Sequence, residues 1–151
     1  MKIRVLVAAL AVVLSSFAAE AATWVVVPHL VGGSLAINPD RIGTIYYSEK
    51  QDPKDAMLRI LYGDAQSKVA NGAEATTAWQ SIQSNAAVAG MFLWVPHMEG
   101  TLGIPYRGVQ ALYFAAAADG KPATLRIMHD IDTKVIEGAA AEKLWKELNA
   151  R

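Results

Sequence analysis

The chain has 151 residues, with 14 basic and 14 acidic side chains, 53% hydrophobic residues and no cysteine. The balanced charge argues against a basic nucleic-acid-binding domain and against a disordered acidic chain. Without cysteine the chain has no disulfide framework, no thiolate metal site and no lipid-modified cysteine, and its length suits one domain or two very small ones.

The first residues have the features of a secretory signal peptide. Lys2 and Arg4 form a short positive region, and the apolar run over 5–14 is too short to span a bilayer as a helix. Ala19-Glu20-Ala21 supplies an A-x-A pattern, so we expect residues 1–21 to be cleaved off after Ala21; an uncleaved anchor is the alternative. Cleavage removes two basic and one acidic side chain and leaves a formal charge of −1. The mature chain is therefore expected to be periplasmic or secreted.

The remainder of the chain contains one pattern twice. Three matched segments keep their order and need only two gaps between the copies: Pro28-His29 with Pro96-His97, Leu58-Arg59-Ile60 with Leu125-Arg126-Ile127, and Trp79 with Trp145. We predict a first repeat over 22–83, a linker over 84–90 and a second repeat over 91–151. Each copy is marginal in size for a core of its own. The two repeats are therefore expected to pack as one pseudo-twofold domain.

The first repeat is expected to contain about four strands and then a helix. β-Branched and aromatic segments predict strands over 24–30, 34–37, 41–47 and 56–62, with a short extension at 68–69. The helix is predicted over 73–83 because four apolar side chains share one face of it: Ala75, Ala78, Trp79 and Ile82. Asn71 and Glu74 resemble a capping box at its start.

The second repeat follows the same plan. Strands are predicted over 92–98, 109–114 and 123–129, and a helix over 139–149. Trp79 and Trp145 are expected between helix and sheet. Met98 and Met128 align with leucines of the first repeat and are expected in the core. Strands followed by one helix, twice, predict an α+β fold with mainly antiparallel sheets.

One stretch of the first repeat resembles a known family. Asn38-Pro39-Asp40-Arg41-Ile42, followed by the strand that ends at Gly63, is similar to the short FlbD/SwrD-like domains of flagellar proteins. The resemblance extends over the first copy, while the second has Ile104-Pro105-Tyr106-Arg107 at the turn. It implies the fold of the repeat rather than an activity.

The two histidines at equivalent repeat positions, His29 and His97, are the most suggestive polar residues. Imidazole is the commonest transition-metal ligand, Met98 follows the second histidine directly, and His129 belongs to the same repeat. These four residues could form a copper or zinc site. The alternative is that each histidine simply binds a backbone carbonyl at a strand end.

Aromatic and arginine residues indicate a binding surface. The strands that carry Trp24 and Trp94 are apolar on both faces, so each is either sandwiched between layers or presents one face to a partner. Arg59 and Arg126 interrupt apolar strands and are expected to point to solvent, or alternatively to form a paired anion site.

The chain contains no recognisable catalytic template, since serine-hydrolase, zinc-protease and nucleotide-binding patterns are all missing from the sequence. We therefore predict a small non-enzymatic binding or adaptor protein without cofactor, acting through a sheet surface or the groove between repeats. A protein partner in the cell envelope is expected, with no nucleic acid and no transmembrane segment after cleavage, and a homodimer is left open. Metal handling with copper or zinc and a small hydrolase are the alternatives.

Overall fold

The computed structural model describes residues 24–29, 33–49 and 53–150. The predicted signal peptide, residues 1–21, lies outside these described residues. The fold is mixed α+β with several sheets, which confirms the predicted class. Within the described ranges, no helix is both long and apolar enough to cross a membrane.

The described residues of the first half form five strands and one α-helix. Their bounds are β1 Val25–Pro28, β2 Ser34–Ile37, β3 Ile42–Ser48, β4 Met57–Tyr62, β5 Gln66–Asn71 and α1 Gly72–Ser84. Short 3-10 turns at Pro39–Arg41 and Pro53–Asp55 precede β3 and β4. Asn38 caps the first of them, because its side chain accepts a hydrogen bond from the Asp40 N–H at 2.9 Å.

The second half repeats this order. Its elements are α2 Ala86–Ala89, β6 Phe92–His97, β7 Gly100–Pro105, β8 Val109–Ala115, β9 Thr124–His129, β10 Thr133–Glu137 and α3 Ala139–Asn149. A 3-10 turn at Tyr106–Gly108 precedes β8, so a turn forms here without the Asn-Pro-Asp sequence of the first half.

Local structure differs from the sequence prediction at several places. The strands β7 and β10 of the second half were not predicted. The 68–69 segment is part of a full strand, β5, because it pairs along the whole of β4. Asn71 makes no capping bond; Gly72 turns the chain into α1 with a φ of 57° and donates its N–H to the Ala56 carbonyl. The predicted linker contains the helix α2, which Asn85 caps by accepting a hydrogen bond from Val88.

The strands form three antiparallel sheets. β1 and β2 make a hairpin, β5-β4-β3-β7-β6 make a five-stranded sheet, and β10-β9-β8 make a three-stranded sheet. The large sheet draws strands from both halves, because β7 pairs with β3 from Ile45↔Gly103 to Ser48↔Gly100. This pairing is the junction between the halves.

Two hydrophobic cores lie on either side of the junction. The first contains α1, β1 and one face of β3 and β4; the second contains α3 and one face of β9. Trp79 stacks on Tyr47 at 4.7 Å in the first core, and Trp145 stacks on Phe114 at 5.1 Å beside the second. Both tryptophans therefore pack between helix and sheet, as predicted.

The junction depends on a glycine where the two strands approach each other closely. A Cβ on Gly100 would collide with the Tyr47 carbonyl oxygen and would lie 2.9 Å from the Ser48 Cα. These atoms belong to the backbone of β3, so relief requires the strands to move apart. Gly43, also in the large sheet, has room for a Cβ, whose nearest neighbour would be Ile131 at 3.4 Å.

We expect the substitution Gly100→Ala to lower the free energy of unfolding by about 1–3 kcal/mol, since it overpacks a strand pair. Gly43→Ala is the matched control and should change it by much less. Urea unfolding followed by tryptophan fluorescence measures both. Equal stability of the two variants would show that the β3–β7 contact is not as close as described.

Candidate functional site

The three-stranded sheet β8-β9-β10 has one face in the second core and the other in solvent. Successive side chains of a strand alternate between faces, so Leu125 and Ile127 are fully buried while Arg126 between them is exposed. The register places Tyr113, Arg126 and Val135 in one row across the three strands. We call this exposed surface, formed by Tyr113, Arg126, Met128 and Val135, the outer face.

The outer face exposes a high proportion of apolar surface. Tyr113 is 55% exposed, Val135 44% and Met128 39%. Met128 was predicted to fill the core; this prediction is wrong because its position in the strand alternation places it beside Arg126 on the solvent side. Tyrosine, methionine and arginine are residue types enriched at protein interfaces. The outer face thus has the composition of a binding surface.

The first half contains the same row, formed by Tyr46, Arg59 and Val69. Arg59 and Val69 are exposed, but Tyr46 is half-buried and its ring meets His97 edge-on at 5.5 Å. The difference arises at β7, which covers the edge of β3. Among the described residues, no strand covers the corresponding edge of β8.

The structure places Arg59 and Arg126 in different sheets. Both are exposed, as predicted for charges within half-exposed strands. Each lies between a tyrosine and a valine of its own row. The paired anion site, which was the alternative, stays an untested prediction.

The histidines lie in different surroundings. His29 follows β1, is exposed, and its backbone N–H donates to the Gly33 carbonyl at 2.8 Å. His97 ends β6 and is half-buried, and Lys134 Nζ donates a hydrogen bond to its Nδ1 at 2.9 Å. Within the described ranges, no three His, Asp or Glu side chains gather as a metal site. The lysine ammonium beside His97 also repels a cation, which disfavours the predicted copper or zinc site there.

The remaining candidate ligands are His129 and Met98. His129 ends β9 and lines a cleft at the junction between the halves. Met98 is 85% exposed at the tip of the β6–β7 hairpin with a φ of 51°. Its predicted place in the core is wrong because a two-residue hairpin turn needs left-handed backbone at this position, which directs the side chain away from the core.

Burial, and then the charge of Lys134, lower the pKa of His97 below its ordinary value of 6.5. The unfolded chain therefore takes up a proton at a higher pH than the folded chain does. The stabilising effect of neutral His97 is fully present above about pH 6.5, and it declines as the pH falls toward the folded-state pKa.

We expect the NMR titration midpoint of His97 to lie below 6.5, and Lys134→Met to raise it, because the variant removes the adjacent positive charge. Lys68→Met is the matched control, since Lys68 occupies the equivalent repeat position on β5, and it should leave the midpoint unchanged. A midpoint that moves equally in both variants would contradict the role of Lys134.

The two tryptophans at the first strand of each half differ in burial. Trp94 packs against the first core, meets Trp79 edge-on at 5.2 Å, and donates its indole N–H to the Ala89 carbonyl at 2.9 Å. Trp24 is 48% exposed, and Val26 on the same side of β1 is 50% exposed. Of the two predicted binding tryptophans, Trp24 is thus the one that offers surface to a partner.

A cleft lies at the junction between the halves. It has a volume of about 280 Å³ and contains one histidine, one arginine and one aspartate: His129, Arg107 and Asp130. Arg107 donates to the Ile42 carbonyl at 2.7 Å and lies 3.5 Å from Asp40, so it fastens the second half to the first. Asp130 accepts a hydrogen bond from Gln110 at 3.0 Å.

The small hydrolase, given above as an alternative, stays an untested prediction. The lining of the cleft contains His129 and the carboxylate of Asp130 but no serine. Arg107 joins the two halves, whereas Asp130 binds Gln110 within the second half. A second cleft of about 350 Å³, between Trp94 and α3, is lined mainly by apolar side chains.

Sequence reasoning identified Arg126 but missed its neighbours Tyr113, Met128 and Val135 as surface residues. The signal was present in the alternation of β9, where Leu125 and Ile127 bracket Arg126 and Met128 continues the polar side.

No protein-family model matches this chain, and comparisons with curated proteins and with solved structures gave no match.

Proposed function

We propose that this chain is a small exported binding or adaptor protein, not an enzyme, that recognises a protein partner in the cell envelope through the outer face. The observation that carries this proposal is the contiguous exposure of Tyr113, Met128 and Val135 around Arg126. Export is inferred from the signal-peptide pattern of residues 1–21.

The shape of the surface favours a protein partner over a small molecule. A sheet face is flat, whereas small-molecule sites are concave and enclose most of the ligand. Tyr113 and Val135 flank Arg126 in the central strand, so a partner that covers the row also desolvates the guanidinium. A partner with an acidic group surrounded by apolar side chains fits this arrangement.

We also propose that the two halves are copies of one unit, packed with pseudo-twofold symmetry as a single domain. Local details support this proposal at a spacing of 66 or 67 residues. The β3–β4 register shifts between Ile42 and Thr44, and the β8–β9 register shifts between Val109 and Ala111. The stacked pairs, Tyr47 with Trp79 and Phe114 with Trp145, also occupy matching positions.

Charge reversal on the outer face tests the proposed function. We expect Arg126→Glu to reduce capture of the partner from a periplasmic extract by about tenfold or more, as an arginine at the centre of an interface commonly does. The measurement is affinity capture with the tagged protein, followed by quantitative mass spectrometry. Arg59→Glu is the matched control, because Arg59 holds the same row position beside a half-buried tyrosine.

Two results would contradict the proposal. One is equal capture by both variants; the other is the failure of the wild-type protein to retain any partner. Stoichiometric binding of Cu(II) or Zn(II) in native mass spectrometry, lost in the double variant His29→Ala/His97→Ala, would instead favour the metal-handling alternative.

A further inference from the structure

Among the described residues, each of the three sheets ends in two unpaired strand edges: β1 and β2, β8 and β10, and β5 and β6. Two of these six edges, those of β2 and β8, correspond to the strands of the β3–β7 junction. β2 pairs only with β1, and β8 pairs only with β9. An unpaired edge presents free N–H and C=O groups that can pair with another strand. The edges of β2 and β8 could pair with each other in the way that β7 pairs with β3.

The β3–β7 junction provides the template. β8 corresponds to β3, since both follow a 3-10 turn and carry the same register shift against the next strand. β2 corresponds to β7, because the two hairpins share one register: Val25↔Ile37 in the first half matches Leu93↔Ile104 in the second. The pair that would correspond to β3 and β7 is therefore β8 and β2.

The β1–β2 hairpin also carries the apolar face that such a contact needs. Trp24 and Val26 are 48% and 50% exposed. Their counterparts 68 residues later, Phe92 and Trp94, pack in and against the first core, where Trp94 meets Trp79. The exposed face of β1 thus corresponds to a face that is covered in β6.

The open edge of β8 is suited to receive this hairpin. Gly138, which follows β10, donates its N–H to the Ala123 carbonyl. Because successive residues of a strand direct their N–H and C=O groups to alternate sides, Leu125 and Ile127 also direct theirs toward β10. Their neighbours on β8, Phe114 and Leu112, consequently direct their N–H and C=O groups away from β9. These groups correspond to those that β3 uses to bind β7.

We propose that the β1–β2 hairpin of a second copy of this chain pairs with β8, and that two copies exchange this contact reciprocally. Transfer of the β3–β7 register gives the pairs Leu112↔Ala36, Tyr113↔Leu35 and Phe114↔Ser34. Trp24 and Val26 then lie on the side of β8 that carries Phe114.

A second copy is the occupant because the hairpin is already seated in its own chain. Its other face, formed by Val25, Val27 and Ile37, is buried in the first core, so the hairpin is packed in its own half while the edge of β2 stays unpaired among the described residues. Reciprocal exchange gives both copies the same contact and closes a twofold dimer. This inference rests on the proposed correspondence of the two halves. Pairing at the β8 edge would cover part of Tyr113, as β7 covers part of Tyr46, so the dimer contact and the partner of the outer face share this side chain.

Single cysteines test the contact directly, because the chain contains no other cysteine. A mixture of the Leu35→Cys and Tyr113→Cys proteins is oxidised, and disulfide-linked heterodimer is quantified by mass spectrometry. We expect efficient linkage, since facing strand residues meet the distance requirement of a disulfide. A mixture of Leu35→Cys with Val135→Cys, two strands further away, should give at least about tenfold less product.

Sedimentation velocity provides the second measurement. The wild-type protein should sediment as a dimer, and Ala36→Pro should raise its dissociation constant by at least about tenfold, because proline removes an N–H that faces the partner strand. An edge strand tolerates proline. Val26→Ser, a change at an exposed position, should weaken the dimer in the same direction while leaving the circular dichroism spectrum unchanged.

Three results would overturn the proposal. The first is a monomer at the highest concentration measured, and the second is a dimer that neither variant weakens. The third is a disulfide that closes within one molecule of the Leu35→Cys/Tyr113→Cys double variant without any linkage between copies, because the edge would then be filled by the chain's own hairpin.

Discussion

The fold depends on one ribbon, the β6–β7 hairpin, that is apolar on both faces. Leu93 and Val95 of β6 are buried in the second core, while Phe92 is buried in the first and Trp94 packs against it. Along its edge, β7 pairs with β3. Because this one hairpin completes both cores and joins the two halves, neither half keeps its full set of apolar contacts without the other. This suits halves that are each marginal in size.

The two hairpins show both uses of a strand that is apolar on each face. β6 is sandwiched between layers, whereas β1 buries Val25 and Val27 and leaves Trp24 and Val26 in solvent. Nearly the same local sequence thus leads to different exposure. The cause is tertiary: β7 pairs with β3, and β2 has no corresponding neighbour in the described part of the chain.

The unequal halves also explain where the surface chemistry is found. Both halves carry a Tyr–Arg–Val row, but only the second has an exposed tyrosine, because the edge of β8 is open within the single chain. The surroundings of His97 and His29 differ for a similar reason. His97 reaches Lys134 and Tyr46 because β6 lies between the halves, while its counterpart His29 is exposed at the end of β1. Equivalent residues in the sequence therefore do not have equivalent chemistry.

The sequence by itself determined most of the elements, but not α2, β7 or β10, and it determined several of the residues that pack within each half. Periodicity located α1, α3 and most strands, and it assigned Trp79 and Trp145 to the helix–sheet contact, because these patterns depend on neighbours close along the chain. It did not determine that β7 would join β3, that Met98 would occupy a hairpin tip, or that Met128 would share a surface with Tyr113. Those outcomes depend on strand pairing and register between segments far apart in sequence, where one residue of shift moves every side chain to the opposite face. The tertiary structure alone decided which of two similar halves presents a surface.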